Sequence, residues 1–323
     1  MGRRYSDDPT DNDFFYIYRV FVSPRPTVGT ESKLLAIDVM STIPLTFQST
    51  LRLSSGNDIP RFGFGVAFGF GKDEDVEAVS KPSALEALKV GYRHIDTAQK
   101  YRNEALVGEA IKESGVKRED IFITSKVPAD FDGSTFTAVD DSLKAMGLDY
   151  LDLYLIHNPT EGTEDRLRMW KGLLEAKQVG KTRSVGVSNY NVHHLEEIKS
   201  AGLELPSINQ IELHPLCQQR PIVDFCNANG IVVQAYCPII QGHMDQPVIT
   251  SMAKKHGRDP AHILLRWSLQ RGFLPLIRST NPARILSNTQ IYDFELSGEE
   301  VADLSALDKG GEGAIAWNPI NVL

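Results

Sequence analysis

The sequence predicts a (β/α)8 barrel, the TIM-barrel architecture, and three observations carry that expectation. Short apolar runs are each followed by a helix-forming segment, and eight such units succeed one another without a break. The runs are apolar throughout rather than alternating, as befits parallel strands covered by helices. At 323 residues, eight units favour a closed barrel over an open doubly wound sheet. The dinucleotide fingerprint of an open sheet, G-x-G-x-x-G opening a helix, is also missing from every strand-to-helix turn. Gly63-x-Gly65 and Gly69-x-Gly71 lie near the first strand but open no helix at that spacing.

In chain order, residues Met1 to Pro44 stand apart: mixed in charge, holding Pro24 and Pro26, and without a sustained period of two or 3.6. Asp7, Asp8, Asp11 and Asp13 speak against a transit peptide. A poorly ordered extension over 1–44 is expected, followed by one barrel domain over 45–323. Phe47 to Leu53, a turn at Ser54–Asp58, and Ile59 to Phe64 form a hairpin pattern, placed as a cap on the barrel bottom.

Phe62 to Ala67 then precedes a helix within Val76–Val90. Tyr92 to Asp96 precedes Glu104–Ser114, with Asn103 expected to cap it. Ile121 to Lys126 precedes Thr135–Met146, which stops at Gly147. Leu151 to His157 precedes Asp165–Lys177, and Ser184 to Val187 precedes Val192–Ser200, capped by Asn191. Ile208 to Leu213 precedes Pro221–Asn229, and Ile231 to Tyr236 precedes Pro247–His256 and Pro260–Gln270. Leu274 to Ile277 precedes Pro282–Thr289, and a last helix runs over Gly298–Leu307.

The net charge of −8, from 34 basic and 42 acidic residues, argues against nucleic acid as a partner. Cys217, Cys226 and Cys237 have neither paired nor metal-type spacing, so a reduced, cytoplasmic setting and no metal are expected. No apolar run approaches the ~20 residues of a membrane span. A monomer or weak dimer acting on a small molecule is the expected form.

Barrels of this kind place their chemistry at the C-terminal strand ends. Those ends read Asp96, Lys126, His157, Ser188-Asn189, Gln210, Tyr236 and Arg278. Any one of them has a plain structural explanation: a solvated lysine, an interior histidine, an aspartate that caps a helix. Collected at one end of a barrel, they make a device. A free tyrosine titrates near ~10 and is a poor proton donor at neutrality. With Tyr101 a few residues beyond Asp96, a nearby Lys126 ammonium is expected to lower the phenol's pKa. Asp96 would hold Lys126 charged, and His157 would orient a substrate oxygen. Such a phenol can protonate a carbonyl as it is reduced, or deprotonate an alcohol in reverse.

These residues lie in Gly-Tyr-Arg-His-Ile-Asp-Thr-Ala at 91–98, Leu-Asp-Leu-Tyr-Leu-Ile-His at 151–157, Gly-Val-Ser-Asn at 186–189, Asn-Gln-Ile-Glu-Leu-His-Pro at 209–215 and Asp-Phe-Glu-Leu-Ser at 293–297. From about Leu45 to the C-terminus the chain resembles the aldo-keto reductases, and fungal-type members most, including Ala-Gln-x-Tyr-Arg-Asn-Glu at 98–104. The resemblance implies a catalytic tetrad of Asp96, Tyr101, Lys126 and His157, with Tyr101 as proton donor. It implies a nicotinamide dinucleotide bound in the barrel mouth. Ser188, Asn189 and Gln210 would hold the carboxamide and Tyr236 would stack on the ring. Arg278, Ser279, Thr280, Arg284 and Asn288 would hold the adenosine end, the two arginines favouring the 2′-phosphate of NADPH.

The chain departs from the family at its expected substrate pocket. Gly65-Val66-Ala67-Phe68 stands where many members carry Gly-Thr-Trp, Asn158 after the histidine where many have tryptophan, and Pro128 where an aromatic is common. With Ala67, Phe68, Pro128 and Asn158 as pocket residues, a less aromatic, roomier pocket is expected. Cys237 stands where a serine is usual. Three functions stay open: an NADPH-dependent reductase of aldehydes or ketones; a non-catalytic, cofactor-sensing regulatory protein on the same barrel; and a barrel with unrelated phosphate chemistry, disfavoured because the strand-8 end lacks a glycine-rich phosphate loop.

Overall fold

The computed structural model describes residues 44–69, 75–131, 133–159, 162–317, 319 and 322. Apart from Pro44, the extension expected over 1–44 lies outside these residues. Leu45–Leu323 forms one compact unit.

The hairpin is β1 (Thr50–Arg52) paired antiparallel with β2 (Asp58–Pro60), Leu51 opposite Ile59. The second run does not continue to Phe64 as expected. Beyond Pro60 one further ladder bond, Arg61 N–H to Ser49 O at 2.9 Å, closes the hairpin, and a separate strand, β3 (Gly63–Gly65), begins in the barrel. Gly63 permits that start, because a Cβ there would lie 2.6 Å from His94 Nδ1 and 2.5 Å from Leu276 Cδ2.

The remaining elements alternate as expected: α1 (Val76–Val90), β4 (His94–Asp96), α2 (Glu104–Ser114), β5 (Phe122–Val127), α3 (Thr135–Met146), β6 (Leu151–Ile156) and α4 (Thr163–Gln178). Then come β7 (Thr182–Ser188), α5 (Val192–Ser200), β8 (Ile208–Glu212), α6 (Arg220–Ala228), β9 (Val232–Tyr236), α7 (Pro247–His256) and α8 (Pro260–Gln270). The series ends with β10 (Leu274–Ile277), α9 (Pro282–Ser287) and α10 (Gly298–Ser305). Strands β3 to β10 pair in parallel, each with the next, and β10 closes on β3 to complete an eight-stranded barrel.

Two hydrophobic layers hold it together. Phe122, Leu153, Leu155, Ile208, Leu274 and Leu276 meet Leu53 and Ile59 of the hairpin. A much larger shell, including Trp170 and Trp267, lies between barrel and helices. The hairpin is fastened to the N-terminal strand ends by Ser55 Oγ to Ser184 Oγ at 2.7 Å and by Asn57 Nδ2 donating to Arg183 O at 3.1 Å. It therefore caps the bottom and leaves the C-terminal mouth to chemistry.

Cap signals fixed the helix ends well. Gly147 follows α3 in the left-handed region, with φ 65°, and Asn191 forms a capping box with His194. Asn103 does not cap α2 as expected. Its Oδ1 accepts from Thr97 Oγ1 at 2.6 Å, and its Nδ2 donates to Val66 O at 2.7 Å. The amide is spent on tying β3 to the β4–α2 connection.

Candidate active site

That connection carries the phenol. Tyr101 ends a single 3₁₀ turn over Gln99–Tyr101. Gln99 Nε2 pins the turn to Ala138 O of α3 at 2.8 Å, and Asn103 pins its other side. With both flanks fixed, Tyr101 is directed at the neighbouring strand ends.

Lys126 on β5 is fully buried. Its Nζ donates to Asp96 Oδ1 at 2.5 Å, to Thr97 O at 2.9 Å and to Tyr101 Oη at 3.4 Å. Tyr101 Oη lies 3.3 Å from His157 Nε2, the two rings meeting edge to face at 5.3 Å. The four expected tetrad residues thus meet at one point.

Burial pushes the Asp96 carboxyl up and the Lys126 ammonium down, each restrained by the charge of the other. Burial and the Lys126 charge hold His157 well below the usual histidine range, so its imidazole is neutral at pH 7. Its buried Nδ1 has no protein partner, and its Nε2 faces the Tyr101 hydroxyl.

One expectation is overturned. Lys126 does not bring the Tyr101 phenol down; burial, then the Asp96 charge, pushes it well above the usual tyrosine value.

Asp96 Oδ2 accepts from Gln210 Nε2 at 2.8 Å, and that nitrogen also donates to Gln234 Oε1 at 2.6 Å. Ser188 Oγ donates to Gln210 O at 2.8 Å. Asn189, in the left-handed region with φ 63°, donates to His157 O at 3.0 Å and accepts from Tyr236 Oη at 2.8 Å. These groups have spent their hydrogens within the protein and keep oxygen lone pairs. What is left accepts, which fits the –NH2 of a nicotinamide carboxamide. The half-buried Tyr236 ring adds a face to stack on.

Of the residues expected to hold an adenosine end, Arg278 donates to Ala67 O at 2.6 Å, its guanidinium over the Phe68 ring at 5.5 Å. Phe68 is 1 % exposed and lies beneath that guanidinium. Ser279 is half-buried, Thr280 and Arg284 are exposed, and Asn288 is buried. Ala67, Pro128 and Asn158 are half-buried near the strand ends that bear the tetrad.

Sequence reasoning missed Gln234, an isolated amide in an apolar strand. It also missed Glu212, which lay inside a quoted motif. The buried Glu212 carboxylate takes His214 Nε2 at 2.8 Å and the backbone N–H of Ile315 and Ala316 at 2.7 and 3.0 Å. It therefore ties the C-terminal segment to the end of β8.

A proton donor set beside a neutral imidazole at the mouth of a closed parallel barrel defines an oxidoreductase of the carbonyl–alcohol type. The chain belongs to the aldo/keto reductase family, whose model matches residues 62–309. It is 43% identical over 284 residues to the glyoxal reductase of Bacillus subtilis, covering 87% of this chain and 100% of the relative. It is 39% identical over 265 residues to the methylglyoxal reductase of Escherichia coli K12, covering 81% and 94%. The crystal structure of a Bombyx mori aldo-keto reductase in complex with NADP superposes with a TM-score of 0.77 at 36% identity, covering 84% of this chain and 96% of that one.

Proposed function

We propose that the protein is an NADPH-dependent reductase of small aldehydes and ketones, with 2-oxoaldehydes as its substrate class. The observation that carries this reading is the position of the Tyr101 hydroxyl, 3.4 Å from Lys126 Nζ and 3.3 Å from His157 Nε2. NADPH, when bound, supplies the hydride. The chain's own residues do the rest. His157 Nε2–H orients the carbonyl oxygen, and Tyr101 donates a proton to that oxygen as negative charge develops on it. Lys126 then stabilises the phenolate left behind. A phenol with a raised pKa still transfers readily to an alkoxide, which is a far stronger base. Ser188, Asn189 and Gln210 would hold the carboxamide, Tyr236 the ring, and Arg278 with Arg284 the 2′-phosphate.

The substrate class is supported by the names of the bacterial relatives, a glyoxal and a methylglyoxal reductase, and by the pocket. Asn158, next to His157, carries an amide donor for a second carbonyl oxygen where bulkier family members have an aromatic. The likeness to fungal-type members rests on the run at 98–104. A cytoplasmic enzyme, a monomer or weak dimer, with residues 1–44 outside the barrel domain completes the reading.

The test is NADPH consumption by the purified protein with glyoxal, methylglyoxal and a series of simple aldehydes and ketones. Turnover highest with the 2-oxoaldehydes is expected. Tight NADPH binding with no turnover of any carbonyl would favour the cofactor-sensing alternative.

A further inference from the structure

Gln234, on β9, is fully buried. Its Oε1 accepts from Gln210 Nε2 at 2.6 Å, while its own Nε2 has no protein partner. A buried amide with an idle donor is costly, and an apolar side chain of the same length would fill the position without that cost. Such exceptions gather at functional sites.

What the amide oxygen accomplishes follows from hydrogen counting. Gln210 and Gln234 are direct partners in the β8–β9 register. The Gln210 amide nitrogen has two hydrogens. One goes to Asp96 Oδ2 at 2.8 Å and the other to Gln234 Oε1. Asp96 Oδ1 in turn receives Lys126 Nζ at 2.5 Å. With both hydrogens committed, Gln210 has only Oε1 to offer the cofactor carboxamide.

We propose that Gln234 is a positioning residue for the reaction, an inference that rests on the reductase reading above. It fixes the Gln210 amide so that nitrogen holds Asp96 and oxygen faces the cofactor. Without an acceptor at 234, one Gln210 N–H is buried and unpaired. The amide then rotates, Asp96 loses a partner, and the ion pair that carries Lys126 beside Tyr101 shifts.

The experiment compares Gln234→Met, apolar and of equal length, with Gln234→Glu, which keeps an oxygen for Gln210, in the full chain with NADPH and the best carbonyl substrate. Gln234→Met should lower kcat by about tenfold, the kinetic equivalent of one lost buried hydrogen bond, with little change in melting temperature. Gln234→Glu should retain most of kcat. In a Gln210→Met background, Gln234→Met should cost nothing further, because its action runs through Gln210.

A Gln234→Met enzyme with kcat within about twofold of wild type overturns the inference, as does an equal loss in the Gln210→Met background. A folded Gln234→Glu protein with low kcat does the same, and it decides the matter if Gln234→Met does not fold. A wild-type protein that turns over no carbonyl strikes the reductase reading instead, so the two failures are distinct.

Discussion

Lys126 Nζ lies 2.5 Å from Asp96 Oδ1 but 3.4 Å from Tyr101 Oη, so the ammonium is committed to the carboxylate before the phenol. Burial then dominates at Tyr101 and keeps its proton on well beyond neutrality. Reduction needs the phenol and oxidation the phenolate. Carbonyl reduction should therefore be flat through neutral pH. Alcohol oxidation should rise by about tenfold per pH unit while the phenolate is the minor form. Tyr101→Phe should abolish both directions and leave NADPH binding, read by fluorescence titration, intact. Near-normal turnover in that variant would remove the tetrad.

The proposed grip on the 2′-phosphate uses two arginines in different settings. Arg278 is anchored on Ala67 O and Phe68, whereas Arg284 is exposed on α9, its backbone N–H held by Asn281 Oδ1 at 3.3 Å. A charge-assisted bond to a phosphate contributes roughly 1.5–3 kcal/mol. Arg284→Ala should raise the KM for NADPH by one to two decades, about the size of that bond, and change the KM for NADH much less. Equal losses with the two cofactors would defeat the 2′-phosphate assignment.

Much of this was legible because the cues were local. Helices α2, α3, α5, α7 and α8 have the ends expected from periodicity and capping signals, and the mouth residues follow from counting strand ends. What could not be read depends on distance. A lysine near a tyrosine predicts a lowered phenol pKa, and only the depth of burial and the nearby Asp96 charge, neither visible in the sequence, push it the other way. Asn103 is a good cap by type, but Thr97 and Val66 compete successfully for its amide. Gln234 reads as a stray polar residue until the β8–β9 register sets it against Gln210.

The pocket can be probed through Ala67, whose carbonyl anchors Arg278 while its side chain is small and half-buried. Ala67→Trp adds aromatic area without touching the anchor, which is main chain. It should shift preference toward smaller or flatter carbonyl compounds at unchanged NADPH affinity. Identical kcat/KM ratios across a size series would place Ala67 outside the pocket.

The barrel and its hairpin begin after Pro44, and Met40 stands just upstream. A chain shortened to begin at Met40 should keep the melting temperature and the activity of the full chain. One kcal/mol shifts a domain of this size by roughly 2–4 °C, so a larger fall on shortening would mean that the first 39 residues dock on the barrel.

The C-terminal segment offers the sharpest packing test. At Gly313 a Cβ would lie 1.7 Å from Leu216 O, a backbone atom that cannot swing aside. Gly313→Ala must therefore push the segment off, taking the Ile315 and Ala316 N–H groups from the Glu212 carboxylate. Overpacking of this kind costs roughly 1–3 kcal/mol, which predicts a fall in Tm of a few degrees. Glu212 stands at the end of β8, and its charge acts on Tyr236 and Cys237. Loosening its partners should thus reach the mouth, raising the KM for the carbonyl substrate more than it lowers kcat. Gly298→Ala, where an added Cβ meets nothing within 4 Å, is the matched control and should change neither. A Gly313→Ala protein with wild-type Tm and KM would show that the segment is free to yield, and that Glu212 does not hold it in place.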